Sequence, residues 1–254
     1  MKMEKYPSLR GFTLVELLTV VAIIGVLSAI LIPTIGSVRA SARAAQGASN
    51  LRQMGVGMQA YAADHQGFLP RVTIKKSDWN KEHPDDQVGG DQMWTKLLRD
   101  YLPQQSGSKT GQENQIFVCP NAEYTKSNGE LYESDKLSRT YTATETLFGI
   151  RVLSSGTKVR DSKTSRSLAT IEDPSKTLLV LDGKQSGTTG GCASSTIWSQ
   201  VQGDLNLENP DSSSYLDFRQ PSDSINVLFV DGRVSRLGFQ DLSTIEEKQW
   251  HGRL

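Results

Sequence analysis

Glu16 is the only ionisable side chain between Phe12 and Ile32, inside the apolar run from Gly11 to Pro33. A carboxylate in such a run costs roughly 2.5–3.5 kcal/mol near a bilayer centre, and less near an interface. The chemistry open to it is to neutralise a cation, so its partner is the first question this chain poses. The other chemistry-bearing residues are sparser. His65, His83 and His251 have no metal-ligand spacing, and no Gly-x-Ser-x-Gly, His-Glu-x-x-His or P-loop occurs. All three histidines read as solvated surface residues, and no active site emerges. Asp204, Asn206, Glu208, Asn209 and Asp211 fall within eight residues and offer the oxygens that Ca²⁺ takes. The glycine and terminal glutamate of an EF-hand loop are missing, so two readings stay open, a Ca²⁺ loop or a solvated acidic one. Asp85-Asp86 to Asp91 is a lesser candidate of the same kind. No other cofactor is implied. Cys119 and Cys192 are the only cysteines; one disulfide or two buried free thiols are both compatible with an exported domain.

The elements that must position these residues begin with the apolar run itself. It is long enough, at about 1.5 Å per helical residue, to cross a hydrocarbon core of about 30 Å. The chain of 254 residues then has room for one globular domain. Residues 1–11 hold Lys2, Lys5 and Arg10 against Glu4, a net of +2, while the remainder carries −2. That balance implies no basic face large enough for nucleic acid. The basic residues before the run predict a cytoplasmic N-terminus and an external domain after Pro33. A cleavable signal peptide, with Ala40-Ser41-Ala42 as its site, is disfavoured by the length of the run and by Glu16. A plain signal anchor explains the length but not the glutamate.

Gly11-Phe12-Thr13-Leu14-Val15-Glu16 resembles the start of a type IV prepilin or type II secretion pseudopilin. Members of that family have a short basic leader ending in Gly, a following hydrophobic residue, Glu four positions later, and a long apolar helix with a proline near its far end. Pro33 occupies that last place. The resemblance implies cleavage between Gly11 and Phe12 by a prepilin peptidase and methylation of the new Phe12 amine. It makes Phe12, Glu16 and Pro33 the assembly residues. The partners it implies are the peptidase, other pilin or pseudopilin subunits in a homo- or heteropolymer, and an inner-membrane assembly platform. Its location would be the bacterial inner membrane, single-pass with a periplasmic head, then a periplasmic or cell-surface filament.

Beyond Pro33, Ile35, Val38, Ala42, Ala45, Ala48, Leu51, Met54, Met58 and Tyr61 recur at helical steps, with Arg39, Arg43, Asn50 and Arg52 between them. This predicts one helix from Phe12 to Asp64, kinked or melted at Pro33 and amphipathic in its second half. Gly36, Gly47, Gly55 and Gly57 weaken it by up to about 1 kcal/mol each relative to Ala. Ala48 to Pro70 also resembles large-headed pilin-like proteins of planctomycete and verrucomicrobial type. So do Trp94 with Leu97, Leu98 and Tyr101, the run Phe117 to Pro120, Glu172 to Thr177, and Asn226 to Val234. Many such relatives carry a His ten residues before Asp231, where this chain has Pro221, so no role of that histidine transfers.

The head reads as α+β, a C-terminal antiparallel sheet packed on the long helix. Met93 to Leu102 is a predicted helix; Gln115–Cys119, Arg139–Thr144, Gly149–Leu153 and Thr177–Asp182 are predicted strands. Ile225–Val230 and Arg233–Leu237 are predicted to form a hairpin through a two-residue Asp231-Gly232 turn. Ser243-Thr244-Ile245-Glu246 predicts a capping box opening a last helix, and Arg71–Gly90, Gln104–Asn114, Gly183–Ala193 and Asn206–Asp223 are predicted loops. The expected organisation is a leader over 1–11, a transmembrane and assembly helix over 12–35, an amphipathic half over 36–66 and a head over 67–254. A structural filament subunit follows. The alternative is a membrane-anchored exported enzyme or glycan-binding module that uses the helix only as a signal anchor.

Overall fold

The computed structural model describes residues 14–82, 84–85, 92–103, 115–132, 137, 139–144, 147–148, 150–152, 158–160, 165–185, 192, 195–196, 216–246 and 249. Helix α1 runs unbroken over Leu14–Asp64. The expected melting at Pro33 does not occur. Proline removes one backbone donor, and the hydroxyls of Thr34 and Ser37 add bonds to the carbonyls of Leu31 and Thr34 at 2.8 and 3.0 Å. The chain divides into two compact units inside this helix, between Ala40 and Ser41.

The first unit is helical from Leu14 onward and leaves its apolar side chains uncovered, from Leu14 at 81% exposure to Val38 at 65%. Its helix is long and apolar enough to cross a membrane.

The second unit is built on a five-stranded sheet. Its strands, in spatial order, are β7 (Ser195–Thr196), β3 (Tyr141–Thr144), β6 (Leu178–Asp182), β8 (Ser224–Phe229) and β9 (Val234–Gly238). β3, β6, β8 and β9 pair antiparallel, with Ala143 opposite Val180, Leu181 opposite Val227 and Leu228 opposite Val234. The two-residue edge β7 pairs parallel to β3. Successive strand residues face opposite sides. Tyr141, Ala143, Val180 and Leu228 join Leu51, Met54 and Met58 of α1 in one core. Ile225, Val227 and Phe229 join Leu216, Phe218 and Leu242 in another. The second core lies beneath α4 (Phe239–Ser243). Covered on both faces, β6 and β8 are buried throughout, which explains the apolar runs Leu178–Leu181 and Val227–Phe229 within them.

Smaller elements complete the unit. β1 (Thr73–Ile74) and β2 (Gln92–Met93) pair antiparallel, α2 covers Lys76–Glu82, and β4 (Ile150–Val152) pairs with β5 (Lys158–Arg160). α3 (Trp94–Leu98) continues as a 3₁₀ turn over Arg99–Tyr101, and Trp94 meets Phe117 and Phe148 edge-on.

Several expectations are corrected. The predicted loop 71–90 holds β1 and α2, because Trp79 supplies a buried anchor. Gln115–Cys119 is not a strand: Gln115–Phe117 is a 3₁₀ turn, with Ile116 and Phe117 both buried. The hairpin turn is not a two-residue one. Only Gly232 has positive φ, at 87°, and the amide of Gly232 donates to the Phe229 carbonyl at 3.0 Å. A three-residue loop results, in which an Asp231 carboxylate oxygen accepts from the Arg233 amide at 2.9 Å. The capping box at Ser243 is also displaced. Ser243 closes α4, and Gln249 Oε1 accepts from the Glu246 amide three residues on.

The buried stripe of α1 follows the predicted spacing at Leu51, Met54, Met58 and Tyr61 but departs from it nearer the N-terminus. Ala42 and Ala45 are exposed, while Ala44, Gly47 and Asn50 are buried. The reason is close approach. A Cβ on Gly47 would lie 3.3 Å from Asn226 Nδ2 and from Cys119 Sγ, and 3.4 Å from the Tyr141 hydroxyl. Those groups reach the helix backbone: Tyr141 donates to the Gly47 carbonyl at 3.3 Å and Asn226 Nδ2 to the Ala44 carbonyl at 3.4 Å. Asn50 Nδ2 donates to the Val118 carbonyl at 3.1 Å. Gly55 and Gly57 likewise meet Leu228 and Leu102. At these positions glycine is a packing residue, and its lower helix propensity is offset by contact. Gly47→Val should therefore destabilise the second unit by roughly 1–3 kcal/mol through overpacking. Gly36→Val, at a site with nothing within 4 Å, should leave its thermal midpoint unchanged. Melting followed by near-ultraviolet circular dichroism distinguishes the two.

Candidate functional site

Glu16 stands in the first turn of α1, exposed, among the equally exposed Leu17 and Leu18. The Thr19 hydroxyl donates to the Glu16 carbonyl at 3.0 Å. A carboxylate in a first turn gains about 0.3–1 kcal/mol from the positive end of the helix dipole. That is smaller than the roughly 2.5–3.5 kcal/mol it costs at a bilayer centre, so the dipole alone does not hold this charge in lipid. Gly11 and Phe12 lie outside the described residues.

In the second unit the sheet carries a buried polar cluster that the sequence reading missed. Asp182 is fully buried at the end of β6. Its Oδ2 accepts from the Asn226 amide and from Gln220 Nε2, both at 2.8 Å, while Oδ1 has no hydrogen bond among the described residues. Gln220 Nε2 also lies 3.3 Å from Cys119 Sγ. Asn226 carries the cluster onward to the Ala44 carbonyl. Burial pushes the Asp182 carboxyl above its ordinary range, against the lowering influence of the Arg219 guanidinium and of its two donors. Burial works against the charge on Arg219 too, but Asp217, Tyr124 and Asp182 outweigh it and hold its pKa above the usual value. Arg219 bonds Asp217 at 3.0 Å and the Gly183 carbonyl, and stacks over the Tyr124 ring at 5.4 Å. The sequence signal for the cluster was faint: an Asp ending the apolar run Leu178–Asp182 and a Gln in what reads as a loop.

The remaining candidates separate. Cys119 and Cys192 are buried free thiols in different apolar clusters, and the cross-link between them is not formed. Burial, with a smaller contribution from Asp182, pushes the Cys119 thiol up to about 11, so it stays protonated at neutral pH. His65 is exposed, stacked on Tyr61 at 3.8 Å, with Nδ1 2.8 Å from the Tyr61 carbonyl. His83 and His251 lie outside the described residues, as do Asp204, Asn206, Glu208, Asn209 and Asp211. Among the described residues no group of three or more His, Cys, Asp or Glu is placed to hold a metal.

A family model described as a protein of unknown function (DUF1559) matches residues 36–183, from within α1 to the end of β6. A second, described as a prokaryotic N-terminal methylation motif, matches residues 9–32 and so contains Gly11, Phe12 and Glu16. No curated protein and no solved structure matches the chain.

The Asp182 assignment has a pH signature. A carboxyl whose folded pKa is raised stabilises the fold most below the ordinary carboxylate range and loses that contribution as pH rises through the raised value. Asp182→Asn should therefore flatten the fall in thermal midpoint between mildly acidic and neutral pH. The half-buried Asp173 and the exposed Glu130, whose pKa values are lowered mainly by hydrogen bonds from Ser175 and Asn128, act in the opposite sense and are shared by both proteins. Midpoints measured across that range in wild type and variant give the comparison.

Proposed function

Because the chain belongs to the DUF1559 family and carries a prokaryotic N-terminal methylation motif, we propose that it is a type IV pilin-like structural subunit that is processed and polymerises. The observation that carries the proposal is the motif set on a helix whose apolar side chains are uncovered from Leu14 to Val38. Gly11 offers no side chain at the bond a prepilin peptidase would cut. Cutting there frees an ammonium on Phe12, one helical turn before Glu16. In a stack of subunits, Glu16 of one neutralises the Phe12 ammonium of its neighbour, and the two charges leave water or lipid together. Breaking such a buried pair by removing one partner costs about 3–5 kcal/mol. The pair fixes register, while packing of uncovered apolar helices supplies most of the association.

In this reading the helix inserts with its N-terminus cytoplasmic and the head outside, and the assembly platform and other subunits are its partners. The head spans about 185 residues beyond the helix, large for the bulk subunit of a fibre. That size supports a type II secretion pseudopilus, or a minor place in a type IV pilus-like filament. The work is mechanical, and no catalysis is assigned to it.

Glu16→Ala should leave cleavage intact but reduce recovered filament at least tenfold. Sheared-fibre yield, with the mass of the membrane form as the processing control, provides the measurement. Normal fibre yield from Glu16→Ala would remove the register argument.

A further inference from the structure

At the C-terminal end of α1 lies an open cavity of about 530 Å³, within the range of small-ligand sites. The stacked pair Tyr61 and His65 lines it, as does Phe68, a residue 41% exposed. Gln66 lines it from a left-handed backbone, φ 55°, followed by Gly67 at φ 83°. A left-handed turn that ends a helix is ordinarily served by glycine, and here the first such position carries a long polar side chain instead. The surrounding backbone is pinned. The Gly67 amide donates to the Ala62 carbonyl at 2.7 Å, the Leu168 amide to the Gly67 carbonyl at 2.8 Å, and the Leu69 amide to the Arg166 carbonyl at 2.9 Å. Gln66 and Phe68 are thus held before any ligand arrives, which lowers the entropy lost on binding.

The polar lining selects the ligand class. Asp64, Glu82 and Arg71 all line the cavity, two carboxylates to one guanidinium, which disfavours an anion. Arg71 Nη2 already bonds Glu82 at 2.8 Å, so an incoming ammonium would compete with a resident cation. A carbonyl can only accept, so the Nδ1 of His65 donates to the Tyr61 carbonyl. With the amide of Gln66, the hydroxyl of Ser165 and the carboxylates of Asp64 and Glu82, the lining is a mixed set of donors and acceptors beside the aromatic side chains of Tyr61 and Phe68. Hydroxyl groups, which both donate and accept, on a ring with an apolar C–H face satisfy all of it.

We infer that this cavity is a binding site for a neutral saccharide, with Phe68 as the stacking platform and Gln66 and Glu82 as hydroxyl partners. The site belongs to the second unit and does not depend on whether the chain polymerises.

The test is isothermal titration of the full chain, held in a zwitterionic detergent without a sugar headgroup. The probes are neutral oligosaccharides of glucose, mannose, galactose and N-acetylglucosamine. At least one should bind with a Kd below about 1 mM. Phe68→Ala should weaken it at least tenfold without lowering the thermal midpoint. Gln66→Gly should weaken it while raising the midpoint, because glycine relaxes the positive φ. Absence of binding to every neutral probe would overturn the inference. So would affinity that survives both substitutions, or tighter binding of sulfated or uronic-acid glycans.

Discussion

One helix meets two different surroundings, and the fold of the second unit depends on the close contact where α1 becomes a core element. Ala44 and Gly47 let the sheet approach until Asn226 and Tyr141 bond the helix backbone itself. Leu51, Met54 and Met58 then fill the space between helix and sheet. Asp182 accepts from the backbone amide of Asn226 and from Gln220, so the residue that reaches the helix is itself tied to the middle strand of the sheet. A larger side chain at Gly47 would separate these groups, and each buried polar atom would then lack its partner. An unpartnered buried polar group costs about 1–3 kcal/mol, which is why such a contact tolerates little change.

The first part of α1 obeys the opposite rule. Among the described residues nothing covers the apolar side chains from Leu14 to Val38, and a water-exposed apolar helix of that length is unstable as a solution object. Lipid would satisfy it, as would the apolar helices of other subunits in the proposed filament. Glu16 then acquires its meaning from its neighbours in sequence. In the proposed reading, processing makes Phe12 cationic one helical turn before Glu16, and assembly would bring that charge a partner.

The N-terminal motif and the strands of the sheet were legible because they rest on strong local signals. An unbroken apolar run with one carboxylate has few explanations, and the runs Leu178–Leu181 of β6 and Val227–Phe229 of β8 announce burial on both faces. What failed depended on distant partners. Gly47 reads as a weak helix residue until Asn226 and Tyr141 are brought against it. The strand expected at Gln115–Cys119 became a turn because Ile116 and Phe117 bury together rather than alternate. The turn at Asp231-Gly232 took a third residue because the Asp231 side chain caps the Arg233 amide while only Gly232 adopts positive φ. Asp182 and the cavity beside Phe68 left almost no trace in sequence, since each is assembled from segments far apart in the chain.

The central claim is that Phe12 becomes a methylated, charged N-terminus facing Glu16. Mass spectrometry of the N-terminal peptide from the membrane-bound protein tests it directly. The account predicts a peptide that begins at Phe12 and is heavier by one methyl group. A peptide beginning at Met1, or one beginning at Arg43, would contradict it.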